Sequence, residues 1–192
     1  MFIHRWKKEI FTIPNLLSFF RITLIPVYMT IYLNASISRD YLLAGTLLGL
    51  SCITDTIDGQ IARRFNMIST LGKILDPVAD KLTQFALILC LSVKHPVLHY
   101  LLVLFVIKEG FQCTVGLFHL FNRKMLPGAL LAGKICTTVL FLSLISLVLL
   151  PDLNERIVTI IAVTDTVFLF YAFLHYIFAY FGRNTVLESL DD

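Results

Sequence analysis

The chain has 192 residues, of which 57% are hydrophobic and only 15% are charged, and its formal net charge is +3. Soluble globular domains carry about 25% charged residues, and disordered chains combine few apolar residues with a high net charge, so both classes are excluded. The small net charge gives no indication of a nucleic-acid partner. We expect one domain over residues 1–192, with its surplus apolar surface facing a lipid bilayer.

Six apolar stretches are long enough to cross a bilayer as helices, which requires roughly 20 mostly apolar residues. In chain order we predict helices over residues 15–34, 41–62, 75–93, 97–121, 128–150 and 155–181. Short polar connections separate them, and none is long enough for a second domain. The sequence therefore predicts an all-α, polytopic membrane protein with six transmembrane helices.

The first dozen residues mix Phe, Ile and Trp with Arg and Lys, which is typical of an interfacial helix on the cytoplasmic leaflet. A cleavable signal peptide is the alternative, but the apolar run that follows is too long for one and Arg21 interrupts it. Nine Lys and Arg residues lie at the N-terminus, around the second and fourth loops and in the tail, against three on the other side (Arg39, Lys94 and Arg156). Because positive charge stays inside, we predict a multi-pass protein of the cytoplasmic membrane with both termini in the cytoplasm.

Ionisable residues at membrane depth are costly, so each of them is a candidate functional residue. Asp55 and Asp58 lie three positions apart at the end of the second predicted helix, and Asp76 and Asp80 lie four apart at the start of the third. Both spacings put two side chains on one helix face. Because the connection between these helices is short, they should be antiparallel neighbours, and we expect the four carboxylates to converge near the cytoplasmic surface.

Four carboxylates this close repel one another unless protons or cations lie between them. Their oxygens suit Mg²⁺ or Mn²⁺, and carboxylates around a pair of divalent ions suit phosphate chemistry. Ion pairs with nearby Arg and Lys residues are the structural alternative, which explains one or two acids better than four. Gly59 leaves room for a ligand beside the acids, and the forked guanidinium of Arg63 fits a phosphate.

The acidic motif reads Asp55-Thr-Ile-Asp58-Gly59-Gln-Ile-Ala62-Arg63, then eight residues, Gly72, three residues, Asp76, three residues and Asp80. It resembles the DxxDGxxAR-x8-GxxxD-xxxD signature of the CDP-alcohol phosphotransferases, also termed class I CDP-alcohol phosphatidyltransferases, with no position missing. The segment from Ile13 to Arg21 is similar to the IPNxxTxxR opening of the bacterial phosphatidylglycerophosphate synthases, with Ser18 where Thr is usual.

The resemblance implies transfer of a phosphatidyl group from CDP-diacylglycerol to an alcohol, with release of CMP. It implies two Mg²⁺ or Mn²⁺ ions whose ligands are Asp55, Asp58, Asp76 and Asp80, and it makes Asp80 the general base. The contacts to the CDP-lipid that it implies are Asn15, Ser18, Gly59, Arg63 and Ser69. It also implies a homodimer.

A second group of charges bears on the acceptor alcohol. A basic pocket suits a phosphorylated alcohol such as glycerol 3-phosphate, and we assign to it Arg21, Lys108, Arg123 and Lys134. Phosphatidylglycerophosphate synthases usually show Arg-Glu in the fourth helix and Gly-Lys-Ile-Lys-Thr in the fifth. This chain has Lys108-Glu109 and, in the fifth helix, Cys136 in place of the second Lys. Glycerol 3-phosphate is the predicted acceptor, and phosphatidylglycerol, which cardiolipin synthases use, or another alcohol is the alternative.

Other interpretations of these charges stay open. Lys108 and Lys134 have ion pairs with Glu109 or Asp165 as their structural alternative, and Arg123 serves equally as a positive charge of a cytoplasmic loop. A transporter or channel is the main alternative that is not an enzyme. Intramembrane acids mark ion pathways, but the four acids here are predicted at one membrane face and not along a path.

Overall fold

The structure is a computed structural model, and it describes residues 12–64, 72–121 and 131–188. These residues form six α-helices and no strand: α1 Ile13–Leu33, α2 Ser38–Arg64, α3 Gly72–Lys94, α4 Leu98–Phe121, α5 Leu131–Leu149 and α6 Glu155–Glu188. The prediction of an all-α chain with six helices is confirmed over this part of the sequence. The interfacial helix is predicted over residues 1–12. Of these, the structure describes only Thr12.

Local capping explains where two of the helices begin. The carboxylate of Asp40 accepts hydrogen bonds from the backbone amides of Ser36 and Ile37 at 3.0 and 3.3 Å, so the chain turns into α2 before the predicted start at residue 41. At the start of α6, the side-chain oxygen of Asn154 accepts a hydrogen bond from the Arg156 amide at 2.9 Å. Asn is among the preferred residues at this position because it satisfies an amide that the helix leaves without a partner.

Three helices of the described part are long and apolar enough to cross a membrane: Asn15–Leu33, Leu98–Gly116 and Glu155–Tyr180. A shorter apolar helix covers Ile135–Leu149. The helices α2 and α3 carry the charged residues of the acidic motif, which lowers their apolar content. With 34 residues, α6 is about 50 Å long, which exceeds the hydrocarbon thickness of roughly 30 Å.

Many large apolar side chains are exposed, whereas two charged side chains are almost fully buried. Tyr100, Phe178 and Val93 are 77%, 73% and 66% exposed. Arg21 and Lys108, by contrast, are each 2% exposed. A lipid solvent accounts for both facts, since it accepts apolar surface and forces polar groups to find partners within the protein. This is the distribution of a membrane protein.

The described helices form two compact units. The first contains the residues up to Leu91 together with Leu147–Pro151, and in it α1 packs along α2. Gly45 of α2 lies so close to Leu149 that an added Cβ atom would overlap the leucine side chain. The second contains Ser92–Ser146 and the residues from Asp152 onward, and in it α4 packs along α6.

Candidate active site

One face of α1 carries three polar residues that are buried in the first unit. Asn15, Ser18 and Arg21 recur every three positions and are 1%, 0% and 2% exposed. This spacing keeps the three side chains on one side of the helix. Buried polar groups of this kind require hydrogen-bond partners, and two of the three have an acid of α3 as a partner.

Ser18 holds the first acid of α3. Its Oγ donates a hydrogen bond to Oδ1 of Asp76 at 2.5 Å, which joins the start of α1 to the start of α3 across 58 positions of sequence. Since a carboxylate has about four lone-pair positions, this bond orients Asp76 and still leaves it capacity for other ligands.

Arg21 holds the second acid of α3. Its Nη1 donates to Oδ1 of Asp80 at 2.5 Å, and the Arg21 side chain is 2% exposed whereas that of Asp80 is 47% exposed. The guanidinium therefore binds the carboxylate from the interior of the unit, and about half of the surface of the Asp80 side chain remains accessible. Asp76 and Asp80 lie one helical turn apart, so α1 orients both acids along the same face of α3.

A cavity of about 10 Å³, the size that holds one water molecule, lies beside Arg21. Leu24 of α1, Leu48 of α2 and Thr83 of α3 are among its lining residues, so the three helices of the first unit meet there. Tyr28 also lines the cavity, and its buried hydroxyl has no hydrogen-bond partner among the described residues.

The other residues of the acidic motif are described less completely. Asp55, Asp58, Gly59 and Arg63 belong to the last turns of α2, but their side-chain surroundings lie outside what the structure describes, and so does the whole of Ser69. The described side chains, which include Asp76 and Asp80, contain no group of three or more His, Cys, Asp or Glu that could hold a metal ion. The convergence of four carboxylates therefore stays a prediction.

The second unit buries charged residues of its own. Lys108 is 2% exposed, and its Nζ lies 2.6 Å from Oε1 of Glu109 and 5.7 Å from the centre of the Tyr176 ring. Asp165, which is also 2% exposed, accepts a hydrogen bond from Ser143 at 2.5 Å. The ion pair of Lys108 with Glu109 is thus present, and Asp165 is held by a neutral hydroxyl.

The predicted acceptor pocket is described only in part. Arg21 is the buried partner of Asp80, and Lys108 is the buried partner of Glu109. Lys134 belongs to α5 with its side chain outside the described ones, and Arg123 lies outside the described residues altogether. The assignment of these four residues to the acceptor stays a prediction.

Comparison with known families decides what kind of protein carries this site. The family model for CDP-alcohol phosphatidyltransferase matches residues 11–178, a range that holds all four motif acids and the polar face of α1. The chain belongs to the CDP-alcohol phosphatidyltransferase family. Membership confirms the resemblance that the acidic motif indicates, and it makes the protein an enzyme of this family.

Two bacterial relatives align with this CDP-alcohol phosphatidyltransferase over most of their length. The CDP-diacylglycerol–glycerol-3-phosphate 3-phosphatidyltransferase of Rickettsia bellii is 32% identical over 169 residues, which is 88% of this chain and 91% of the relative. The protein of the same name from Bacillus subtilis is 31% identical over 160 residues, or 78% and 82% of the two chains. A cardiolipin synthase (CMP-forming) / mitochondrial hydrolase fusion protein of Schizosaccharomyces pombe is 39% identical over 90 residues, which is 46% of this chain and 14% of the fusion protein.

The sequence patterns did not single out two buried tyrosines that lie beside charged residues of this enzyme. Tyr28 follows Arg21 by seven positions, which is two helical turns, so the spacing alone places it on the same face of α1. Tyr176 lies on α6 and contacts Lys108 of α4. Spacing along the sequence does not predict this contact, because the two residues belong to different helices.

Proposed function

We propose that this enzyme transfers a phosphatidyl group from CDP-diacylglycerol to glycerol 3-phosphate, forming phosphatidylglycerophosphate and CMP for phospholipid biosynthesis. The observation that carries the proposal is the pair of contacts from α1, Ser18 to Asp76 and Arg21 to Asp80, in a chain of this family. The relatives from Rickettsia bellii and Bacillus subtilis, whose names state this donor and acceptor, support it.

Two divalent cations, Mg²⁺ or Mn²⁺, are part of the proposal, with Asp55, Asp58, Asp76 and Asp80 as their ligands. The donor chemistry supports this assignment, because carboxylate oxygens are the ligands that hard cations take. Asp76 fits the role since one hydrogen bond from Ser18 orients it without exhausting its lone pairs. When bound, the ions neutralise negative charge on the pyrophosphate and on the departing CMP.

Asp80 is the general base in this proposal. Its side chain is 47% exposed and accepts a hydrogen bond from the buried Arg21, so the carboxylate is both oriented and accessible. The acceptor hydroxyl gives its proton to the Asp80 carboxylate as the hydroxyl oxygen forms a bond to the phosphorus next to diacylglycerol. The bond between that phosphorus and the oxygen bridging to CMP breaks, and CMP leaves with the electron pair.

The other proposed residues either position the acids or contact the substrates. Arg21 is a positioning residue for Asp80, and Ser18 orients Asp76 as hydrogen-bond donors around metal sites orient ligating carboxylates. The proposed contacts to the CDP-lipid are Asn15, Ser18, Gly59, Arg63 and Ser69. The proposed contacts to the phosphorylated acceptor are Arg21, Lys108, Arg123 and Lys134.

We also propose that all six helices cross the cytoplasmic membrane of the cell, with an interfacial helix over the first dozen residues and both termini in the cytoplasm. The exposed apolar side chains and the asymmetry of Lys and Arg along the sequence support this arrangement. A site at the cytoplasmic face suits the substrates, because the acyl chains of the donor stay in lipid while the acceptor arrives from water. The proposal includes a homodimer.

Cardiolipin synthesis, with phosphatidylglycerol as the acceptor, is the second candidate function. The match to the Schizosaccharomyces pombe fusion protein favours it, although that match covers 46% of this chain.

One experiment decides between the two candidate functions. Purified full-length protein in detergent is given CDP-diacylglycerol, Mg²⁺ and one acceptor at a time, and both the CMP released and the lipid formed are identified. We expect CMP with glycerol 3-phosphate and not with phosphatidylglycerol, with Asp80→Asn protein as the background control. CMP release only with phosphatidylglycerol would replace the first function by the second. A folded protein that releases no CMP with either acceptor or with any other alcohol would overturn both.

A further inference from the structure

In the second unit, Glu109 and Tyr176 lie beside the buried ammonium group of Lys108, and Gly133 lies against Tyr176. Lys108 and Glu109 come from α4, Gly133 from α5 and Tyr176 from α6, and we call these four residues the lysine cluster. We propose that Tyr176, seated on Gly133, is the positioning residue that holds Lys108 in place for binding of the phosphorylated acceptor. This inference rests on the proposed function, which assigns Lys108 to that acceptor.

Lys108 needs fixed partners because it is 2% exposed, and an ammonium group removed from water is costly unless it is paired. Glu109 supplies one partner at 2.6 Å, and with 19% of its side chain exposed it is the more accessible member of the pair. A Lys ammonium has three N–H donors, and Glu109 accepts a hydrogen bond from one of them. The pair therefore has an interior side at Lys108 and an open side at Glu109.

The Tyr176 ring covers Lys108 on a second side. The ammonium nitrogen lies 5.7 Å from the ring centre, within the range of about 6 Å at which a cation is attracted to an aromatic face. The ring is itself fixed, since Tyr176 is 9% exposed and stacks on Tyr180 with 6.2 Å between centroids and 23° between planes. Phe111 of α4 in turn meets Tyr180 edge-on at 6.3 Å.

Gly133 explains how the Tyr176 ring reaches this position. A Cβ atom added at Gly133 would overlap the Tyr176 hydroxyl oxygen and would lie 2.9 Å from the ring atoms Cε2 and Cζ. Among the described residues, no atom lies within 4 Å of the equivalent position at Gly110 or Gly116 of α4, so close contact is not general to the described glycines of this unit. Any side chain at Gly133 must push the ring away, and the ring must then draw away from Lys108.

Tyr176 therefore positions Lys108 through the face of its aromatic ring. The aromatic ring, and not its hydroxyl, faces the ammonium, so the role predicts that Phe substitutes for Tyr and an aliphatic residue does not. A side chain that merely fills space would show the opposite pattern, in which Leu is tolerated nearly as well as Phe.

The test measures KM for both substrates and kcat in full-length protein, with CDP-diacylglycerol and glycerol 3-phosphate varied in turn. Tyr176→Leu should raise KM for glycerol 3-phosphate about tenfold, as expected for a cation–π contact worth about 1.4 kcal/mol, with KM for CDP-diacylglycerol unchanged. Tyr176→Phe should stay within about twofold of wild type because it keeps the ring. The matched control is Tyr171→Leu, which removes a tyrosine of α6 that is 60% exposed.

A second pair of variants tests the seat of the ring. Gly133→Ala should raise KM for glycerol 3-phosphate in the same direction as Tyr176→Leu, whereas Gly116→Ala, in open space, should not. Combining Gly133→Ala with Tyr176→Phe should recover part of the loss, because the hydroxyl oxygen that the new Cβ overlaps is then absent. This double variant decides the matter even where Tyr176→Leu fails to fold.

The inference is overturned if Tyr176→Leu raises KM for both substrates alike, if Leu and Phe at position 176 behave alike, or if Gly133→Ala is silent. Failure of the proposed function looks different, because wild-type protein would then release no CMP with glycerol 3-phosphate. Should wild-type protein use phosphatidylglycerol instead, the same variants measured against that acceptor test Tyr176, and an unchanged KM there overturns the inference as well.

Discussion

Two aspartates, one in each unit, have contrasting hydrogen-bond partners and exposures. Asp80 of the first unit is bound by the charged guanidinium of Arg21, 59 positions away, and its side chain is 47% exposed. Asp165 of the second unit is bound by the neutral hydroxyl of Ser143 and is 2% exposed. A charged partner behind an accessible acid presents that acid to a ligand, whereas a neutral partner around an enclosed acid only satisfies it. The contrast supports the proposed role of Asp80 as the general base and predicts a packing role for Asp165.

Removal of divalent cations is expected to have the largest effect on CMP release. Excess EDTA should abolish CMP release, and added Mg²⁺ or Mn²⁺ should restore it, because the acids of the first unit are proposed to act through bound cations. CMP is measured before and after the addition, with Asp165→Asn protein as the control that should respond as wild type does. Full turnover in excess chelator would contradict the metal assignment.

Asp80→Asn has the next largest effect. The amide keeps the size of the side chain and loses the ability to take a proton, so transfer should fall about 10²- to 10⁴-fold. Binding of CDP-diacylglycerol, measured by equilibrium titration, should persist. Asp165→Asn makes the same chemical change in the second unit and is the matched control. Unchanged turnover in Asp80→Asn protein would remove this residue from the role of base.

Ser18→Ala has an intermediate effect, because it removes the hydrogen bond that orients Asp76 and leaves the carboxylate in place. Losing such an orienting partner typically costs about 10- to 100-fold in metal affinity. The Mg²⁺ concentration for half-maximal CMP release should rise by about that factor. Ser18→Thr keeps the hydroxyl and should need no more Mg²⁺ than wild type. An equal Mg²⁺ requirement in the Ala and Thr variants would show that the hydrogen bond has no such function.

Ser143→Ala and Asp165→Asn have the smallest expected effects. Hydrogen bonds between membrane helices contribute about 0.6 kcal/mol on average, so the free energy of unfolding in detergent should fall by about that amount. Turnover of the folded protein should not change. If either variant lost CMP release to the extent expected of Asp80→Asn, the division between the two units would be wrong.

The sequence alone determined the positions of the helices and the family to which the chain belongs. Apolar runs bounded by polar residues predicted a third helix over 75–93, and the structure has Gly72–Lys94. The spacing of Asp76 and Asp80 predicted one helix face, since a helical repeat depends only on neighbours along the chain. The motif likewise indicated the family, because its residues lie close together in the sequence.

Only the tertiary structure decided which partner each charged residue has. Arg21 was predicted to contact the acceptor, and the structure sets it against Asp80; that Tyr176 covers Lys108 and rests on Gly133 was not predicted at all. These contacts join different helices. Which faces of two helices meet depends on how all the side chains between them pack, and that information is spread over the chain and absent from the spacing within either helix.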